Sequence, residues 1–170
     1  MSNKLLVVVD MQNDFVTGSL ANKDAEAIID RMEEYIRDYD GEVVFTKDTH
    51  YEGYLDTQEG KKLPVVHCIE GTYGWEIVDK LLPYAKDARI FIKNTFGDKN
   101  LGQYICEQNF DRVDFVGVCT GICVISNALL VKAYSPETPI YVHDDLCACV
   151  TKESHETALN AMKCCQIDVV

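Results

Sequence analysis

Positive charge is scarce in this sequence. Sixteen lysines and arginines stand against twenty-eight aspartates and glutamates in 170 residues, a formal net charge of -12. Binding to a phosphate backbone needs a basic surface, so nucleic acid is excluded as an expected partner, and an anionic membrane with it. The acidity is read as a solubility feature. Long apolar runs are also missing, and none approaches the ~18 residues that span a bilayer. The stretch from Leu5 to Val9 is too short for a secretory signal core, and Asp10 ends it. It reads as a buried strand, and the cytoplasm as the expected compartment. Internal repeats, linkers and low-complexity segments are absent, so one domain is expected over residues 1–170.

Cysteine is plentiful, with eight residues. A secreted disulfide scaffold would be shorter and richer in loops. Here the cysteines lie in apolar segments, as Cys119 and Cys123 do, and free thiols in a reducing compartment are expected.

Short apolar runs alternate with longer amphipathic segments. Strands are expected at Lys4–Val9, 42–46, Arg89–Lys93, Arg112–Val118, 139–142 and 166–170. Helices are expected at 24–39, 75–82, 98–108, 121–134 and 152–162, the first capped by Asn22 or Asp24 and the second stopped by Pro83. Residues 47–74 carry no period, and so long a connection in a compact domain is usually functional. This alternation predicts an α/β three-layer sandwich with a six-stranded parallel sheet. Such sheets bind ligands beyond the carboxyl ends of their strands.

Several chemistry-bearing residues fall there. Asp10 follows the first strand, Asp48 and His50 the second, and Lys93 ends the third. Cys119 and Cys123 follow the fourth, and Asp144 and Asp145 the fifth. Cys123 starts a helix, where unpaired N–H groups and the helix dipole favour thiolate and could hold an oxyanion. Asp10 could take the thiol proton, and Lys93 could stabilise both charges. Singly, a buried cysteine, a turn carboxylate and a strand-end lysine each have structural explanations. Together they supply nucleophile, base and partner for acyl transfer.

Asp48, His50 and His67 suggest a metal site, with Glu59 or Asp56 as a fourth ligand. Mixed carboxylate and imidazole ligands suit zinc, iron or manganese. A rival set of Cys147 and Cys149 with Cys119 and Cys123 has a less suitable spacing. A haloacid-dehalogenase-like phosphatase would need an acid where Gln12 stands, and a receiver-like module would leave Cys123 without a role.

The motifs resemble those of the nicotinamidase/isochorismatase-like cysteine hydrolases along nearly the whole chain. Asp10-Met11-Gln12-Asn13-Asp14-Phe15 is similar to the family's opening motif, and Thr46-Lys47-Asp48-Thr49-His50 to its metal segment. The run from His67 to Glu76 is similar to its His-Cys-x-x-Gly-Thr-x-Gly-x-Glu stretch. Lys93-Asn94-Thr95-Phe96 resembles the lysine segment, and Gly117 to Val124 the nucleophile turn. The resemblance implies Asp10 as base, Lys93 as electrostatic partner and Cys123 as nucleophile. It also implies a cis Val118–Cys119 peptide and an oxyanion hole from the N–H groups of Cys119 and Cys123. Phe15 and Phe96 would contact the substrate.

The implied reaction is deamination of a small carboxamide, nicotinamide first, through a thioester, with a role in NAD salvage. A divalent metal, zinc foremost, would orient the ring from Asp48, His50, Glu59 and His67. A homo-oligomer, dimer or tetramer, is implied as well. Two positions depart from the pattern. Asp56 stands where many members have a second histidine, which favours Glu59 as the further ligand. Pro64 replaces a frequent tryptophan, which alters the ring pocket. Cys123 itself argues against vinyl-ether hydrolysis. A related hydrolase of another small amide, or a silent metabolite-binding relative, is the alternative.

Overall fold

The computed structural model describes residues 3–170. Six parallel strands form one sheet: β1 (Lys4–Val9), β2 (Glu42–Asp48), β3 (Arg89–Lys93), β4 (Arg112–Val118), β5 (Ile140–Ala148) and β6 (Asp168–Val169). Their order is β3-β2-β1-β4-β5-β6. The chain therefore winds outward from β1 in one direction, then returns to β4 and winds the other way. The switch between β1 and β4 opens a crevice at the carboxyl ends of the strands.

Two short helices, α1 (Asn13–Val16) and α3 (Gln58–Lys62), lie in the connections after β1 and β2. Both faces of the sheet are covered, and alternation along β1 shows how. Leu5, Val7 and Val9 pack in one cluster with Leu101 and Ile105 of α5 (Lys99–Gln108), Val131 of α6 (Ile125–Tyr134) and Met162 of α7 (Lys152–Cys164). Leu6 and Val8 pack in the other with Ile28, Met32 and Ile36 of α2 (Lys23–Asp38). Successive side chains of a strand point to opposite faces, so a continuous apolar run is what a doubly covered strand requires. The expected three-layer α/β/α sandwich with six parallel strands is the observed one. Of the two candidate caps for α2, Asn22 serves: its side chain accepts from the N–H groups of Asp24 and Ala25.

Gly117 is required by its surroundings. It has φ +118°, and a Cβ there would lie 2.2 Å from the carbonyl oxygen of Val9. Only glycine lets β4 come this close to β1 just below the site.

The structure departs from the expected elements in several places. Residues 75–82 do not form a helix. They pass from a tight turn at Tyr73–Trp75 through a bridge between Ile77 and Gln12 to the short helix α4 (Leu82–Ala85). Asn13 N–H donates to Glu76 O at 2.9 Å and Val78 N–H to Met11 O at 3.0 Å, so pairing with the 10–15 segment takes the backbone bonds a helix would need. Pro83 begins α4 instead of ending a helix, a position where its missing N–H costs nothing.

The fifth strand does not end at 142 but runs to Ala148. Opposite β4, residues 143–146 bulge out against Val116 alone, since Phe115 pairs with Val142 and Gly117 with Cys147. Asp144 and Asp145 lie in this exposed bulge rather than after the strand, and Arg31 pairs with Asp145 at 3.3 Å. They are not part of the rim where the other candidates gather. The polar bulge interrupts the apolar pattern and made the strand look shorter. The helix expected at 121–134 begins with a π-helical turn, Thr120–Val124, before α6.

Candidate active site

The parallel register sets the site. Asp48 and Lys93 are paired across the ends of β2 and β3, while Asp10 leaves β1 one residue beyond the Val9–Thr46 pair. Asp10 has φ +49°, a left-handed turn that aspartate tolerates better than most residues, and it bends the chain off the sheet. Its carboxylate is fully buried. Thr46 Oγ1 donates to Asp10 Oδ1 at 2.5 Å, and Lys93 Nζ pairs with Oδ2 at 2.6 Å.

Lys93 reaches further from the same position. Its ammonium lies 3.5 Å from Cys123 Sγ, 3.4 Å from Asp48 Oδ1 and 3.2 Å from the Thr95 carbonyl. Cys123 sits in the π-helical turn, with its carbonyl held by Asn127 Nδ2 at 2.8 Å. The structure thus brings Asp10, Lys93 and Cys123 together. The Val118–Cys119 peptide is cis.

One cation here faces two carboxylates and a thiol. Burial raises the Asp10 pKa, Lys93 opposes that, and Asp48 adds to it. Burial pushes the Cys123 thiol well up, and the Asp10 charge pushes it further despite Lys93. Burial works against the Lys93 charge, but Asp10, Cys123 and Asp48 more than compensate and hold it protonated. The resting arrangement is therefore a thiol beside a carboxylate, bridged by a lysine that stays charged.

Asp48, His50, Glu59 and His67 form the second cluster. One donor atom from each lies within 4.8 Å of all the others. His50 Nε2 is 3.0 Å from Asp48 Oδ2, and His67 Nε2 is 3.5 Å from the same oxygen and 4.0 Å from Glu59 Oε1. His67 Nδ1 lies 2.7 Å from the Val65 carbonyl, which can only accept, so Nδ1 carries the proton. In the neutral ring the Nε2 lone pair then points at carboxylate oxygens. That is unfavourable without a cation between them, and two imidazoles with two carboxylates suit a divalent metal. Asp56, the other candidate for the fourth position, is exposed and outside the cluster.

A cavity of about 830 Å³ joins the two clusters. Cys119, Cys123, Asp48 and His67 form its floor, and Phe15 and Phe96 stand among its walls. Pro64 does not line it, while Leu63 does.

The profile of the "Isochorismatase domain" matches residues 4–170. The chain belongs to the isochorismatase family. It is 32% identical over 173 residues to "Uncharacterized isochorismatase family protein PncA" of Bacillus subtilis, covering 92% of each chain. It is 29% identical over 186 residues to "Nicotinamidase/pyrazinamidase" of Mycobacterium tuberculosis, covering 98% of each. Among solved structures, "Pyrazinamidase of Pyrococcus horikoshii in Complex with Zinc" superposes with a TM-score of 0.83 at 29% identity, covering 99% of this chain and 98% of that one. Within its family the chain is nicotinamidase-like.

This isochorismatase-family site also uses residues that the sequence reading passed over. Gln12 is fully buried; its Nε2 donates to the Asp48 and Trp75 carbonyls at 2.8 Å each, and its Oε1 accepts from Asp48 N–H at 2.7 Å. It clamps the metal-cluster strand to the 73–76 turn. Thr46 orients Asp10. Asn127 accepts from Asp98 N–H at 2.9 Å and donates to Phe96 O at 3.1 Å and Cys123 O at 2.8 Å. Thr46 and Asn127 are polar residues that end or interrupt apolar runs, and that was the available signal, whereas Gln12 stands among polar neighbours that hid it.

Proposed function

We propose that this chain is a metal-assisted cysteine amidohydrolase that deaminates a small carboxamide, nicotinamide first, to the carboxylate and ammonia. The observation that carries this reading is Lys93 Nζ standing 2.6 Å from Asp10 Oδ2 and 3.5 Å from Cys123 Sγ inside one buried pocket. A nucleophile, a base and a fixed positive charge in contact are what acyl transfer requires.

As the amide carbonyl enters, Asp10 takes the thiol proton and Cys123 attacks the carbonyl carbon. The raised Asp10 pKa makes it a stronger base than an exposed carboxylate, and Lys93 compensates the thiolate as it forms. The N–H groups of Cys119 and Cys123 receive the developing oxyanion. Asp10 then returns the proton to the leaving nitrogen, and ammonia departs from a thioester. Water, deprotonated by Asp10, hydrolyses the thioester and regenerates the thiol. Asp48, His50, Glu59 and His67 would hold a divalent metal, zinc foremost, which supplies a Lewis-acid anchor for a ring nitrogen. Phe15 and Phe96 would pack against the ring.

Eight free cysteines fit a reducing compartment, and the cytoplasm and NAD salvage belong to the same reading. So does a homo-oligomer, for which Ile90 and Ile92 offer exposed apolar surface on the edge strand. A different carboxamide is the second reading. The cavity of about 830 Å³ leaves room for a bulkier group than a bare pyridine ring.

The test is ammonia release across a panel of amides, with and without chelator. Turnover of nicotinamide that is lost on chelation and lost in Cys123→Ala supports the reading. Turnover that survives Cys123→Ala refutes it, and absence of turnover on every amide leaves the silent relative.

A further inference from the structure

Behind the nucleophile turn lies a second pair of cysteines that the amidase chemistry does not use as thiols. Val118 and Ala148 are the last registered pair of β4 and β5, and Cys119 and Cys149 are the next residue after each strand. Neighbouring strands run about 4.8 Å apart, inside the Cα separation of roughly 4.4–6.8 Å that a disulfide spans. We propose that Cys119 and Cys149 form an oxidation site: Cys149 is oxidised by a hydroperoxide and the two residues then close a disulfide beside the catalytic turn.

The surroundings of Cys149 favour its thiolate. Gly121 N–H donates to Cys149 Sγ at 3.4 Å. A Cβ on Gly121 would stand 3.3 Å from that sulfur, so glycine lets the turn's backbone close on it. Cys149 also lies two residues before Thr151, the cap of α7, on the positive end of a thirteen-residue helix. The Cys119 thiol is the largest influence on its pKa. That contact, with Ser154 and the N–H groups of Gly121 and Val150, pulls it down to about 5 against the cost of burial. Cys119 is pushed up by the same contact and by burial, so it keeps its proton. The strand register thus sets one attacking thiolate beside one resolving thiol.

Both have a route to solvent. Cys119 lines the catalytic cavity, and Cys149 lines an adjoining one of about 530 Å³. Cys147 differs: its side chain is packed within the apolar core beside Leu159 and Met162, and burial pushes its thiol up.

The steps balance. The Cys149 sulfur attacks one peroxide oxygen, the O–O bond breaks, and the other oxygen leaves as an alcohol after taking a proton from water. Cys149 is then a sulfenic acid. The Cys119 sulfur attacks it, the S–S bond forms, and the departing hydroxide takes the Cys119 proton as water. Two thiols are oxidised and one peroxide is reduced. The bond ties the turn that carries Cys123 to the β5–α7 connection and pulls that turn away from the geometry the nucleophile needs, so turnover falls.

The experiment treats the full-length protein, and separately Cys123→Ser, with a few equivalents of hydrogen peroxide at pH 7, followed by alkylation and peptide mapping. The expected result is a loss of two hydrogens and one cross-linked peptide joining Cys119 to Cys149 in both proteins. With Cys149→Ser, untreated turnover is unchanged and the link is absent. For the wild type, turnover on whichever amide is cleaved falls at least tenfold and returns with dithiothreitol. A link from Cys119 to Cys123 overturns the proposal. So does a Cys149 that still alkylates after the other buried thiols are oxidised. The map needs no substrate, so the disulfide stands or falls separately from the amidase reading.

Discussion

Lys93 Nζ lies 2.6 Å from Asp10 Oδ2, and both side chains are almost wholly out of solvent. A buried pair of this kind is costly to break from one side, because the remaining charge has no water to replace its partner. Lys93→Met is expected to destabilise the fold by about 3–5 kcal/mol, read as a shift in the urea midpoint. Asp10→Asn is expected to cost much less stability, because Asp48 still faces Lys93 at 3.4 Å. It should still lower kcat at least about 10²-fold through loss of the base. The double variant should recover much of the stability lost in Lys93→Met and none of the activity. Additive stability losses would show that the two side chains do not act as a pair.

Asp10 also sets the acid side of the pH profile. Its pKa is raised by burial and pulled back by Lys93 and, to a smaller degree, by Thr46. The base works only as the carboxylate, so kcat/KM should fall as pH drops through this raised value, above the usual carboxylate range. Thr46→Val removes a donor to the charged form. The Asp10 pKa then rises further, and the acid limb moves to higher pH. A limb that stays in place, or moves down, would remove Asp10 from the base role.

The metal cluster makes a composition prediction. Purified protein should carry about one equivalent of a divalent metal per chain. His67→Ala should weaken its retention by more than about 100-fold, since removing a direct ligand costs at least as much as removing a supporting partner. Glu59→Ala should weaken it and Asp56→Ala should not, because only Glu59 stands within 4.8 Å of the other donors. Metal content by mass spectrometry after dialysis against chelator measures this. Equal losses in the Asp56 and Glu59 variants would contradict the geometry.

Much of this site was readable in the sequence because a parallel sheet carries strand-end residues to one rim whatever their separation in the chain. Asp10 directly follows an apolar run, Lys93 ends one, and Asp48 and Cys123 come within a few residues of one, and the rule that ligands bind there needs no coordinates. Asp144 and Asp145 met the same rule and failed, because β5 continues through a polar bulge that ends the hydrophobic pattern early. The segment 75–82 failed for another reason: its backbone pairs with residues 11–13, a long-range contact that helical periodicity cannot report. The pairing of Cys119 with Cys149 was legible only as part of the four-cysteine set weighed for a metal, since strand register is set between chain segments and not within either one.

Gln12 gives a final prediction. Its side chain makes three hydrogen bonds to backbone groups of Asp48 and Trp75, and Gln12 and Asp48 are both buried. Gln12→Leu keeps the approximate volume but leaves the Asp48 N–H and two carbonyls without partners. Each buried orphan costs about 1–3 kcal/mol, so a loss of several kcal/mol is expected in denaturant unfolding. Gln12→Glu separates support of the metal cluster from bulk stability. A carboxylate still accepts from Asp48 N–H but cannot donate to either carbonyl, and it adds negative charge near Asp10 and Asp48. Metal retention in the folded Gln12→Glu protein should drop by about 10- to 100-fold, the usual range for a partner that orients a ligand. Unchanged retention with lowered stability would make Gln12 a packing residue with no part in holding Asp48 toward the histidines.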